Sequence, residues 1–392
     1  MSTGKSVMIY DVIIIGGGVA GLSAMKILQK ELRCLLLESS HLLGGRVCSV
    51  PLENGQFWDV GARWIHDFEP THPFFNLCEV CSGADRSEFF YVNANKRMRN
   101  IGGEYEAFVN IRGGKTPLPN FLSEVQRFFL QCETGFRDVS LDTFSMFEKT
   151  SVHEDRTTID GYHSLIRNLL IKHLDKASVR CRRQVTNIST RKDFVSIKTT
   201  AETYNAKTVL ITPSLGVLKE NSEAFSINKQ KIEALNCLDF GKAERIVFKI
   251  LEPLEKKMIE NEYIVTTSVG IAHVEIIGNG PRYASVFIPC PLKIDRNSCL
   301  LVGIEIAEAL TLANRLALVH SSNWSLNPLY LGAYASPIKN GRKWRSILSQ
   351  PDPPYFFAGE ATQEEHFGTV HGAYLSGERA AAQVMAAFTM SP

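Results

Sequence analysis

Three glycines and one acid near the start of the chain are spaced for chemistry. The stretch YDVIIIGGGVAGLSAMKILQKELRCLLLE sets Gly16, Gly18 and Gly21 as G-x-G-x-x-G and closes on Glu38. Each glycine has a physical task in a dinucleotide cradle. Gly16 permits a tight turn, Gly18 lets the backbone approach a pyrophosphate, and Gly21 lets a helix pack closely on a strand. The helix N-terminus presents unpaired N–H groups and partial positive charge to the phosphates. Glu38 stands where a carboxylate takes the ribose hydroxyls. The plain alternative is a glycine-rich turn in some other α/β protein. It does not account for apolar strands on both sides and an acid ending the second.

A second dense stretch, FFAGEATQEEHFGTVHGAYLSG, runs from Phe356 to Gly377. An apolar strand leads into a turn, and a helix is expected from about Thr369. Gly368, Gly372 and Gly377 allow close backbone approach, and the helix N-terminus favours negative charge beside it. An amphipathic C-terminal helix alone does not explain GEAT and GTVHGA together. Between the ends lie GGRVCSV with Gly45 and Arg46, FWDVGARWIH from Phe57 to His66, FGKAERIVFKI with Arg245, and NWSLNPLYLGAYASP with Tyr334.

Taken together these segments resemble the flavin-containing amine oxidase family. The resemblance covers both ends and the middle of the chain, and is thin over residues 85–150 and 255–320. It implies FAD as cofactor, with Arg46 near the flavin and Gly61, Ala62, Arg63 and Trp64 beside the isoalloxazine. Val185 falls where the family lays backbone against the adenine. Gly359, Glu360, Thr369 and Val370 fall in its second cofactor segment. Tyr334 matches the aromatic wall of the substrate cage, where a ring face suits an amine. Members with covalent flavin carry a cysteine just before this tyrosine. Here the residue is Ala333, so the FAD is expected to be non-covalent. Thr369 stands where monoamine oxidases place a second tyrosine, which leaves room for a longer substrate. His66 matches a histidine near the substrate entrance of polyamine oxidases, and its titration range suits an amine. A surface loop histidine is the plain alternative. His371 reads as a structural hydrogen-bonder.

The chain departs from the family at one position. Strand alternation in FGKAERIVFKI places Arg245 where the family has a lysine that holds a water near the flavin; Lys242 and Lys249 are the neighbouring candidates. Arginine stays protonated, so it donates hydrogen bonds and does not accept a proton at working pH.

The elements that must position these residues read as α/β. The expected architecture is a glutathione-reductase-type Rossmann FAD-binding domain with an α+β substrate domain, the amine oxidase fold. Residues 1–75, 151–216 and 326–392 are expected to form the discontinuous FAD domain, and 76–150 with 217–325 the substrate domain. A length of 392 residues exceeds one ordinary core, which agrees with two domains.

Composition removes other classes. A formal net charge of +2 gives no footprint for nucleic acid, and a cationic substrate must be met by local acids. No apolar run approaches membrane-spanning length. Nine cysteines without a preceding secretory signal suggest a reduced, cytoplasmic protein. The lone Cys78-x-x-Cys81 has no second pair or nearby histidine and reads as two half-buried thiols. No metal site is expected.

The leading reading is FAD-dependent oxidation of an amine, most like the polyamine oxidases, with O2 as electron acceptor and H2O2 as product. Two alternatives remain: a flavin desaturase or protoporphyrinogen-type oxidase, and a flavin-binding protein with lost or weak oxidase activity.

Overall fold

The computed structural model describes residues 8–389, apart from 54, 56, 78–79, 83–87, 113–118, 145–155, 159–160, 260, 279–280, 292–293 and 313–314. Cys78 and the expected domain boundary at 150/151 lie outside the described residues.

β1 (Ile9–Ile15) is buried over Val12–Ile15, and β2 (Cys34–Leu37) over its whole length. Strands covered on both faces read as continuous apolar runs, which is why these pair in parallel inside a sheet. Among the described residues that sheet has seven strands. Val179–Arg180 lies outside β2, and Thr203–Ile211 lies on the other side of β1. Tyr355–Phe357 joins in parallel beside Thr203–Ile211, so the late segment enters the same sheet as the first. The helix α1 (Val19–Leu28) and the C-terminal helix Val370–Thr389 pack together on one face. Their approach is close: a Cβ built on Gly377 would lie 2.2 Å from the Ala20 carbonyl oxygen.

The second sheet also has seven strands among the described residues and is mixed. Ala243–Ile250, Tyr283–Pro289, Gly270–Ile277 and Asn261–Thr267 run antiparallel in that order, and Glu88–Val92 joins in parallel. Helix Arg296–Ala309 covers one face with Val302 and Ile306 against Ile246 and Phe248. The opposite face carries Arg245, and it is turned to the site.

Packing departs from the sequence reading around residue 217. Leu215–Glu220 is a helix, with the Ser214 hydroxyl accepting from the Val217 amide. Leu218, Phe225, Ile227, Leu235 and Leu238 all enter the core of the first sheet. Residues 217–238, expected in the substrate domain, therefore pack with the FAD-domain sheet. The physical reason is that their apolar side chains cover the face opposite α1. Among the described residues no helix is long and apolar enough to cross a membrane.

Candidate active site

A cavity of about 1110 Å³ is lined from both sheets. The end expected to take the nucleotide is lined by Gly16, Gly18, Glu38, Gln184 and Val185. Gly16 has φ of +107°, and a Cβ on Gly21 would lie 2.0 Å from the Gly16 carbonyl oxygen. Both positions require glycine. Gly18 differs: a Cβ there meets nothing within 4 Å, so the space above it is open. The Glu38 carboxylate accepts from the Gly17 and Ser40 amides, each at 2.6 Å, which aims it across the turn. Gly44 donates to the Gly17 carbonyl at 2.8 Å and stacks the GGR loop on the fingerprint loop. An open cradle, a helix N-terminus without a side-chain cap and a fixed acid fit the diphosphate and ribose of a dinucleotide.

In the middle of the cavity Glu360 ties three walls together. It is 5 % exposed. One oxygen pairs with Arg46 at 2.8 Å, and the other accepts from the amides of Gly368 at 2.8 Å and Ala335 at 3.3 Å. Arg46 also donates to the Ala333 carbonyl at 2.8 Å. Glu360, expected in the second cofactor segment, lines the cavity and also fixes the loops around it. Thr369 is similarly committed. Its hydroxyl accepts from the Gly372 amide and donates to the His366 carbonyl, capping the C-terminal helix. The amides of Val370 and His371 are left at the helix start, outside the helical ladder. The Gly61 and Ala62 amides bond to the Cys48 and Arg46 carbonyls, so this stretch braces the GGR loop as well as lining the cavity.

At the end expected to take the substrate, position along the strand decides which cation faces the cavity. Arg245, Phe287 and His273 stand on one rung of the second sheet, with Ser285 and Glu275 two rungs along on the same face. Lys242 is exposed and Lys249 pairs with Glu53 at 2.6 Å, away from the cavity. Arg245 lines the cavity and is 2 % exposed. It donates to the Ser285 hydroxyl at 3.0 Å and lies 3.7 Å from Glu275. Its guanidinium sits over the rings of Trp64 and Phe287, 5.3 and 5.2 Å from their centroids. Burial lowers its pKa to about 10, with Glu275 opposing, so it remains charged at neutral pH. Arg63 shares Glu275 at 3.2 Å and stacks on Trp58. Two buried guanidiniums thus meet around one carboxylate.

Tyr334 lines the cavity and donates to the Cys132 carbonyl at 2.7 Å. Burial holds its phenol well above the ordinary range. Phe89, Tyr105, Phe108, Phe128 and Phe129 add an aromatic wall. His66 lines the cavity with Asp67, Glu69, Glu133, Glu262, Glu364 and Glu365. His371 is not among the lining residues. Burial, then His72, His366 and His66, push its pKa down to about 2, so it is neutral.

A profile for NAD(P)-binding Rossmann-like domains matches residues 14–79. The profile for flavin containing amine oxidoreductases matches residues 119–303 and 301–385, more than half of the chain. The chain belongs to the flavin containing amine oxidoreductase family. As a member of this family it is an oxidoreductase with FAD as cofactor, and the open cradle at Gly18 fits that group. Its relatives include Polyamine oxidase 2 of Arabidopsis thaliana, 24% identical over 95% of this chain and 87% of that protein. The human peroxisomal N(1)-acetyl-spermine/spermidine oxidase is 23% identical over 95% and 94%. Human lysine-specific histone demethylase 2 is 25% identical over 96% of this chain but 53% of its own length. A redesigned putrescine oxidase has the same fold, with a TM-score of 0.75, 14% identity, and coverage of 97% and 100%.

Sequence reading missed Glu275, Ser285 and Trp58, which support Arg245. The signal was present in GIAHVEII, where His273 and Glu275 interrupt an apolar strand on one face. It also missed Glu360 and Thr369 as structural ties, because their partners are set by loop geometry.

Proposed function

We propose that this flavin containing amine oxidoreductase oxidises a multiply charged, polyamine-like amine, with O2 as the electron acceptor. The observation that carries this reading is the electrostatic contrast along the cavity. Carboxylates of Asp67, Glu69, Glu133, Glu262, Glu364 and Glu365 line it, in a chain of net charge only +2. They suit the distal ammonium groups of a long amine. Deeper in, Arg245 and Arg63 share the single carboxylate of Glu275. Positive charge beside a nitrogen disfavours its protonated form. The wall therefore favours a neutral amine at the reacting end, which is the form that can yield a hydride.

Bound FAD, held without a covalent link because Ala333 offers no thiol, supplies the acceptor for a hydride from the carbon next to nitrogen, with O2 reoxidation giving H2O2. The rest is orientation by this chain. Tyr334 and the ring of Trp64 border the reacting end, and the aromatic wall excludes water from the substrate's carbon chain. Arg245 holds positive charge and hydrogen-bond donors at the wall without taking a proton. The product imine hydrolyses to an aldehyde and a shortened amine.

The test is anaerobic. Spermine, N-acetylspermine, a monoamine and an amino acid are added separately to the oxidised protein, and flavin absorbance is followed. Bleaching by the polyamines ahead of the other two is expected. A protein that none of them bleaches overturns the reading and favours a desaturase or a non-catalytic flavoprotein.

Two substitutions refine it. Tyr334→Ala should slow amine-dependent bleaching by about tenfold or more while FAD is retained, since an aromatic contact and its buried area are lost. Tyr334→Phe keeps the ring, drops only the bond to Cys132, and should stay close to wild type. Equal loss in both would assign the effect to the tether. Arg245→Lys should lower turnover by at least about tenfold, because a point charge cannot replace a fork held between two rings and Ser285. A large gain would instead mark a decayed oxidase that the family lysine restores.

A further inference from the structure

Asp67, His366 and His371 come from two distant segments, and one potential ligand atom of each lies within 4.8 Å of the others. His371 stands at the centre of this group. It is 2 % exposed, and neither ring nitrogen has a hydrogen-bond partner. Buried polar atoms are normally satisfied, so two orphaned nitrogens on one side chain require a reason. The ring of His366 lies 4.7 Å from that of His371, and the ring of His72 lies 4.6 Å from it. His72 has its own unpartnered nitrogen, Nε2, while its Nδ1 accepts from the Phe74 amide.

We infer that Asp67, His366 and His371 form a binding site for a divalent transition metal of the zinc class. The donor set is two imidazoles and one carboxylate, the combination used where zinc keeps an open fourth position. Tetrahedral bonds of about 2.0–2.1 Å place donors about 3.4 Å apart, so the group closes by at most roughly 1.4 Å on binding. Asp67 and His366 are only half-buried, and side-chain rotation supplies that movement. The two histidines are held in relation by a built device. The Thr369 hydroxyl donates to the His366 carbonyl at 2.8 Å and accepts from the Gly372 amide at 2.9 Å, fixing the turn between them. His72 lies beside the site as a fourth ligand or as a bond to the second nitrogen of His371. Asp67 and His366 also line the main cavity, so an occupied site narrows it. None of this rests on the amine reading.

The FAD-loaded protein is equilibrated by dialysis with Zn2+ alone at micromolar concentration, and bound zinc is measured by elemental analysis. Wild type is expected to bind one zinc per chain that His366→Ala and Asp67→Asn lose, with affinity lower by at least tenfold in each. His371→Gln is expected to lose it as well. If burial of that position prevents folding, the two half-buried variants still decide the matter, since their flavin absorbance and melting report an intact fold. Wild type that retains no zinc overturns the inference. So does zinc binding that is unchanged in His366→Ala and Asp67→Asn, which would assign the metal to free thiols elsewhere.

Discussion

Replacing Glu275 with glutamine should destabilise the FAD-loaded protein by about 3–5 kcal/mol, the usual cost of stripping a buried charge of its partner. Glu275 is 3 % exposed and stands between Arg63 and Arg245, which are 9 % and 2 % exposed. The substitution leaves two guanidiniums side by side with no carboxylate between them. Arg245→Met should cost less, because Glu275 keeps its 3.2 Å contact with Arg63. The double substitution should recover part of the Glu275 loss, since one of the two orphaned cations is gone. The measurement is denaturant unfolding of all four proteins at one fixed FAD concentration, because ligand binding shifts apparent stability. A change for Glu275→Gln within about 0.5 kcal/mol, the range of an exposed surface substitution, would show that solvent already satisfies the arginines. A double variant no better than Glu275→Gln would show that the two arginines do not share it.

Gly18→Ala should separate cofactor binding from folding. Gly18 has φ of −75°, which alanine adopts freely, and the new methyl meets no atom of the chain within 4 Å. The apoprotein should therefore melt where wild type melts. The methyl occupies the open space above the helix start, so FAD affinity should fall by about tenfold or more, which is 1.4 kcal/mol or more of crowding against the diphosphate. Gly21→Ala is the contrasting case. Its methyl would stand 2.0 Å from the Gly16 carbonyl oxygen, so both melting temperature and FAD affinity should drop. A Gly18→Ala protein that keeps wild-type FAD affinity would place the diphosphate elsewhere. Dialysis against graded FAD with absorbance readout, beside thermal melting of the apoproteins, distinguishes these outcomes.

What could be read from the sequence was local. The G-x-G-x-x-G turn, its two apolar strands and Glu38 lie within thirty residues, and each residue type has a geometric reason to be there. The late GEAT and GTVHGA stretches were legible as a pair with it through family resemblance. Alternation along Ala243–Ile250 separates Arg245 from Lys242, but Lys249, four residues on, shares its face and is set apart only by its distance along the strand and its pairing with Glu53. The rest depended on register between strands and on loop closure. Ser285 and Glu275 reach Arg245 only because three strands align so that rungs two residues apart share a face. Asp67 and His366 are neighbours only in space. Residues 217–238 carry helical apolar spacing that shows an inward face but not which sheet it covers. Glu360 looked like a ligand-binding acid, and its three intramolecular donors arrive from residues 46, 335 and 368.

The insertion of Tyr355–Phe357 beside Thr203–Ile211, with the final helix against α1, has a consequence in time. β1 leaves the ribosome 346 residues before Tyr355 (355 − 9). At about 5–20 residues per second, that is an interval of roughly 20–70 s. During it, α1 has made its turn yet lacks the helix that covers its apolar face. The nascent chain must wait with that face uncovered, and the nucleotide cradle closes only after its last strand has emerged. Capture of the cofactor therefore follows the emergence of Tyr355–Phe357 and the Val370–Thr389 helix, and not the appearance of the motif that first announces it.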